Sequence, residues 1–227
     1  GSSATFYPAN MGQFLSKKAT IILQVHYAPG SLGQKDKTRF LARLDSKKLR
    51  ELRTEPLLSH LSNTDKLFLP ANKVTTINGK VTIPKKLTMI SVLPHMHSIG
   101  KSIKVWKDTT KIIRINDWNF HWQRTYEFIK PLIVNAGDVL QCTATYDNTG
   151  NNYRNPNKPP KDVREGVSST DEMLLVYFTY TDYQKGDENL KSIRTNVKEL
   201  PKTNLTCYPN PTKDQFRIVF DSDDKVE

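Results

Sequence analysis

Cysteine is scarce in this chain. The two present, Cys142 and Cys207, lie far apart and form no C-x-x-C, so no disulfide framework organises the fold, and the redox compartment stays open on cysteines alone. No run of about 18 apolar residues exists, which excludes a membrane-spanning helix. The opening GSSATFYPANMG lacks the basic-then-apolar pattern of a signal peptide. Both ends are expected to be cuts within a longer chain, so that lack does not assign a cytosolic home. Concentrated charge is missing too. The net charge is +11, yet the basic clusters are no longer than Lys47-Lys48 and Lys85-Lys86 and no aromatic array accompanies them. A solvated basic surface, with no nucleic-acid partner, is the reading that fits.

What remains is an ordinary globular composition, 37% hydrophobic and 25% charged over 227 residues, enough for one large domain or two small ones. From Lys66 onward the texture is β. Candidate strands cover 66–69, 74–77, 81–83, 87–97, 102–107, 111–116, 125–129, 139–147 and 173–181, with turn signals at Asn78-Gly79, Ile99-Gly100, Lys107-Asp108 and Ala136-Gly137. Many short strands at this spacing predict an antiparallel β-sandwich of jelly-roll type. Further strands are expected at 19–27 and 38–44, with a short helical or irregular basic segment at 46–53. Residues 148–169 form a long Asn-, Pro- and Lys-rich loop of the kind that is either functional or disordered.

One stretch carries chemistry. In Leu93-Pro94-His95-Met96-His97 the two histidines share a parity with Leu87, Met89, Ser91 and Leu93. Side chains alternate along a strand, so both imidazoles project from one face, a good half of a metal site. Imidazole suits copper, zinc, iron and nickel alike. Two polar side chains on a half-exposed strand also need no metal, so a further ligand must decide. Met173, at the head of the strand Met173, Leu175, Tyr177, Thr179, offers a thioether, soft and suited to Cu(I), although a methionine there also serves as core filler. His26 stands on a strand face before the Ala28-Pro29-Gly30 turn. In Asp117 to Gln123 (DWNFHWQ), His121 reads as a structural or surface residue and the aromatics as a lid on one end of the core.

The ordered set LQVHY, PHMHSIG and SSTDEM resembles the copper type II, ascorbate-dependent monooxygenases, relatives of peptidylglycine α-hydroxylating monooxygenase and dopamine β-monooxygenase. The stretches DWNFHWQRTYEF, YDNTG and NPNKPP are similar to bacterial members, and the likeness covers roughly residues 18–182. It implies two β-sandwich domains facing each other across a solvent-filled cleft, each with one copper, hence two per full-length protein. The oxygen-binding copper of the second domain would take His95, His97 and Met173. The electron-transfer copper of the first would take His26 with an adjacent His-His pair upstream. No such pair is among the five histidines, His26, His60, His95, His97 and His121, which reads as truncation of the first domain. Tyr177 falls where the family places a substrate-facing tyrosine and is the candidate catalytic residue, a packed strand aromatic being the other possibility. Ascorbate would be the reductant, and O2 and a small organic molecule the substrates.

Two departures qualify the resemblance. Leu93 stands where the peptide-hydroxylating branch has a carboxylate-gripping arginine, which argues against a glycine-extended peptide substrate. Leu174 stands where that branch has a cysteine paired with the one matching Cys142, so Cys142 is expected to be a buried free thiol. The tail CYPNPTKDQFRIVF is similar to the opening of the C-terminal sorting domain of the Bacteroidetes type IX secretion system. It implies a secreted or surface protein whose tail meets the secretion machinery. The expected organisation is the end of a first sandwich at 1–62, the second sandwich at 63–185, a linker at 186–204 and a truncated sorting domain at 205–227. The alternative function is a non-catalytic copper-binding or structural β-sandwich module of a secreted surface protein.

Overall fold

The computed structural model describes residues 7–22, 33, 35, 37, 44, 45, 47–59, 67–190, 204–208 and 217–221. The chain divides into two units, 1–192 and 193–227. The described strands of the first unit are β1 (Met11–Gly12), β2 (Arg50–Glu51), β3 (Arg53–Ser59), β4 (Phe68–Leu69), β5 (Val74–Thr82) and β6 (Leu87–His95). They continue with β7 (Gly100–Lys107), β8 (Thr110–Ile115), β9 (Tyr126–Val134), β10 (Val139–Asp147), β11 (Val163–Arg164) and β12 (Leu175–Asp182). The second unit holds β13 (Asn204–Tyr208) and β14 (Arg217–Asp221), an antiparallel pair. No α-helix occurs among the described residues, and no helix there is long and apolar enough to cross a membrane.

Two four-stranded antiparallel sheets, β5-β10-β7-β8 and β3-β12-β6-β9, enclose the core. The mostly β, antiparallel sandwich expected from the strand spacing is what the chain forms. Alternation explains it: along β10, Leu140, Cys142, Ala144 and Tyr146 are buried while Gln141 is exposed. Their counterparts from the facing sheet are Leu58, Met89, Val92, Val176 and Phe178, all in the same apolar cluster. Burial on this scale is the main favourable term of the fold.

Several local expectations are corrected. Asn78-Gly79 is no turn: β5 runs through it, with Gly79 opposite Cys142. A Cβ there would stand 3.0 Å from Cys142 Sγ and 3.3 Å from the Ser59 carbonyl, so the glycine serves close approach rather than reversal. The parity of Leu87 and Met89 does not carry to the histidines, because the register slips between Met89 and Ser91. Beyond this bulge Val92 and Met96 point inward, and Leu93 and His95 are less buried, on the other face. Residues 19–22 are in no strand, whereas the end of the segment 46–53 enters β2 and β3. Pro56 is exposed on β3, which sits at a sheet edge where a missing N–H is tolerated. The loop after β10 is held by its own amides: the Asn148 side chain donates to the carbonyls of Leu69, Pro70 and Lys161. Asn155 in turn donates to Asn148 Oδ1. The strand expected at 38–44 falls almost wholly outside the described residues, as do residues 191–203 of the expected linker.

Candidate metal centre

β6 and β12 are neighbours, and their register pairs Leu93 with Tyr177 and His95 with Leu175. Directly opposed residues share a face. One face of this sheet therefore carries Leu93, His95, Leu175 and Tyr177, with the ring of His97 close to that of His95. His97 and Met173 each lie two residues past the last pair, and their N–H groups share one acceptor, Glu172 Oε2. The imidazole centroids of His95 and His97 are 5.2 Å apart and the rings nearly perpendicular, at 87°.

Each ring is oriented by an acceptor on the same nitrogen. His95 Nδ1 lies 2.5 Å from Gln123 Oε1. The Gln123 amide N–H donates to the Phe120 carbonyl at 2.9 Å, which fixes the oxygen as the atom facing His95. His97 Nδ1 lies 3.0 Å from the carbonyl of Asp171. Neither partner atom can donate, so Nδ1 is the donor in both rings, and in the neutral form the free nitrogen is Nε2. This is the arrangement metal-binding histidines need, with the remote nitrogen committed and the other free. Burial lowers the His95 pKa below its usual value, and nearby His97 lowers it further against the opposing Gln123 hydrogen bond. A neutral ring is the ligating form.

Behind the histidines lies Glu172, fully buried. Its Oε2 accepts the N–H groups of His97 at 2.8 Å and Met173 at 3.1 Å, and its Oε1 accepts that of Ile99 at 3.0 Å. One carboxylate thus ties the histidine segment to the methionine segment. Burial pushes its pKa up to about 7, against the pull of the backbone donors. Tyr146 fastens the same place from below, donating its buried hydroxyl to the Met173 carbonyl at 2.9 Å. The DWNFHWQ segment closes the other side. Trp118 is buried and donates its indole N–H to the His97 carbonyl, and the Phe120 ring lies 5.7 Å from that of His97. His121 is exposed and touches only Phe120 among ring contacts, as a surface residue would.

Among the described residues, no three His, Cys, Asp or Glu side chains are grouped to hold a metal. A metal held by the two histidines would need a third ligand of another residue type, and Met173, whose N–H shares Glu172 with that of His97, has a thioether to offer. Two imidazoles and a thioether fit copper.

Residues 57–202 match the family described as copper type II ascorbate-dependent monooxygenase, C-terminal domain. The chain belongs to that family. No curated protein matches it in sequence. Among solved structures, dimeric latent PorU from Porphyromonas gingivalis aligns at 13% identity and a TM-score of 0.21, covering 58% of this chain and 13% of that one.

As a monooxygenase-family domain, the chain holds Cys142 as a buried free thiol, with burial pushing its pKa up to about 11. The position after Met173 is the fully buried Leu174. His26 lies outside the described residues. Three contributors to the site were not singled out from sequence: Gln123, the Asp171 carbonyl and Glu172. The last two stood inside the quoted SSTDEM motif, but only pairing across the sheet gives them a task.

Proposed function

We propose that His95, His97 and Met173 hold the oxygen-binding copper of a secreted bacterial monooxygenase that hydroxylates a small organic substrate with O2, ascorbate being the reductant. The observation that carries this reading is the pair of Nδ1-anchored histidines, joined to the Met173 segment through Glu172. Copper bound there supplies the activation of dioxygen for C–H hydroxylation. The chain's own residues do the positioning. Gln123 and the Asp171 carbonyl keep each ring in one tautomer, and Glu172 holds the two ligand segments at a fixed separation. Tyr177 faces the substrate. Beside it Leu93 replaces a charged anchor, so an apolar substrate is favoured over a carboxylate-bearing peptide. The residues preceding this sandwich are the end of a first, electron-transfer sandwich, and His26 is one ligand of its copper. The tail from Leu205, with its CYPNP opening, is the start of a type IX sorting domain that takes the protein out of the cell.

Anaerobic Cu(I) titration read by X-ray absorption tests the site. The expected result is one tight copper with two nitrogen ligands and one sulfur, lost in His95→Ala and lacking its sulfur in Met173→Ala. Weak binding indifferent to both substitutions would overturn the proposal in favour of a structural sandwich. Tight copper with no hydroxylation by the full-length protein would favour a copper-binding module.

A further inference from the structure

Four of the cations that look scattered along the sequence meet on the sheet remote from His95. Register sets Lys80, Gln141, Trp106 and Lys111 in one row across β5, β10, β7 and β8. Asn78, Thr143, Lys104 and Arg114 form the next row. Both rows lie on the outer face, since Cys142, Ala144, Ile103 and Val105 between them point into the core. These eight residues include four cations and no carboxylate. Lys85, Lys101 and Lys107 elsewhere on the sandwich are each paired with an aspartate, but none of these four cations has an acidic partner among the described residues. Arg114 donates only to the neutral Asn116 side chain.

A shallow trough runs along part of these rows. Trp106, half-buried, lines this trough of about 650 Å³ with Asn78, Lys80, Gln141, Thr143 and Asp108. Asp108, at one end, shares Lys107 with Asp138 at 3.1 and 3.0 Å, so the positive character of the face comes from Lys80 and from Lys104, Lys111 and Arg114 beside the trough. With adjacent strands about 4.8 Å apart, the row from Lys80 to Lys111 spans roughly 14 Å. A flat indole offers an apolar platform, the flanking amides and hydroxyl offer donors and acceptors, and unpaired cations raise the local concentration of an anionic polymer.

We propose that this face binds an acidic polysaccharide, a chain of sugar rings bearing carboxylate or sulfate groups. The C–H face of a ring would rest on Trp106, with its hydroxyls reaching Gln141, Asn78 and Thr143. Lys80, Lys104, Lys111 and Arg114 would meet the charged substituents. A single-stranded nucleic acid fits less well, because successive bases require several aromatic platforms and these rows hold one. A duplex fits less well because a flat sheet face inserts no element into a groove. A protein interface would need an apolar centre, and neither row has an aliphatic side chain.

Affinity electrophoresis of the whole chain tests this at about 0.15 M NaCl. Gels would be cast with polygalacturonate, with dextran sulfate or with uncharged dextran. Retardation is expected in one or both anionic gels and not in dextran, and the gel that retards identifies the anionic group. Trp106→Ala should weaken binding about tenfold without changing charge. Lys80→Gln, Lys104→Gln and Lys111→Gln together, all at solvent-facing positions, should do at least as much while circular dichroism stays unchanged. Three equivalent substitutions elsewhere, Lys47→Gln, Lys48→Gln and Lys130→Gln, should leave retardation intact. The proposal fails if neither anionic gel retards the chain, or if retardation depends on total charge alone. It also fails if a single-stranded DNA oligonucleotide binds more tightly than either polysaccharide.

Discussion

Replacing Gln123 with leucine tests how the centre is built, with or without metal. The side chain spans two hydrogen bonds, accepting from His95 Nδ1 at 2.5 Å and donating to the Phe120 carbonyl at 2.9 Å. Leucine keeps the bulk and removes both. Since Gln123 is only half-buried, the stability cost should be about 1 kcal/mol. The consequence for His95 is larger. Its Nδ1 proton loses its acceptor, so the Nε2–H tautomer, which cannot ligate through Nε2, becomes accessible. The hydrogen bond that raised its pKa is also gone, so the pKa should fall further below the usual histidine value. Loss of such an orienting partner weakens metal binding by about 10–100-fold. That is roughly 1.4–2.7 kcal/mol of Cu(I) affinity. Nitrogen-15 NMR of the imidazoles reads the tautomer directly, and competition titration reads the affinity. Gln123→Glu, which restores an acceptor, should recover both. An unchanged tautomer and unchanged affinity in the leucine variant would refute this account of the site.

Asp187 joins β2 to the end of the sandwich. It takes two 2.6 Å hydrogen bonds from Arg50 and one from the Thr88 hydroxyl. Burial alone would raise its pKa, but Arg50, Thr88 and the Gln184 N–H bring it down to about 2. Its folded value is depressed, so the contribution, about 2 kcal/mol, is present above pH ~4 and lost as pH falls toward 2. Urea melts of Asp187→Asn across that range should lose the pH dependence and about that much stability at pH 7. Gly79→Ala should destabilise by about 1–2 kcal/mol because its Cβ meets Cys142 Sγ and the Ser59 carbonyl. Pairing it with Cys142→Ala should return part of the loss, a coupling that a double-mutant cycle would register. In a Cys207→Ser background, a thiol reagent at pH 8 should leave native Cys142 unmodified and label it on unfolding, since burial holds its pKa near 11.

Much of this fold could be read before folding, for identifiable reasons. The alternation of Leu140, Cys142, Ala144 and Tyr146 marks β10 within its own residues, and the short spacing of His95 and His97 keeps their rings together, 5.2 Å apart. The misjudged features depend on partners distant in sequence. Asn78-Gly79 has turn chemistry, but its glycine answers to Cys142 and Ser59 across the sandwich. The bulge after Met89 shows only in the pairing of β6 with both its neighbours, β9 and β12, and Pro131 of β9 falls between the two stretches of ladder contacts with β6. β3 was hidden by Pro56 and by charged residues that an edge strand accommodates. Gln123 and Glu172 are ordinary polar residues until β6 and β12 bring them to the histidines. The basic face has the same origin: Lys80, Lys104 and Lys111 become neighbours only through register.

The central claim is that one copper sits between His95, His97 and Met173. Anomalous diffraction at the copper edge from crystals loaded anaerobically with Cu(I) tests it most directly. The account predicts a single strong peak in bonding contact with Nε2 of both histidines and Sδ of Met173, with both Nδ1 atoms still on Gln123 and Asp171. A peak elsewhere, or one bound through either Nδ1, would contradict it.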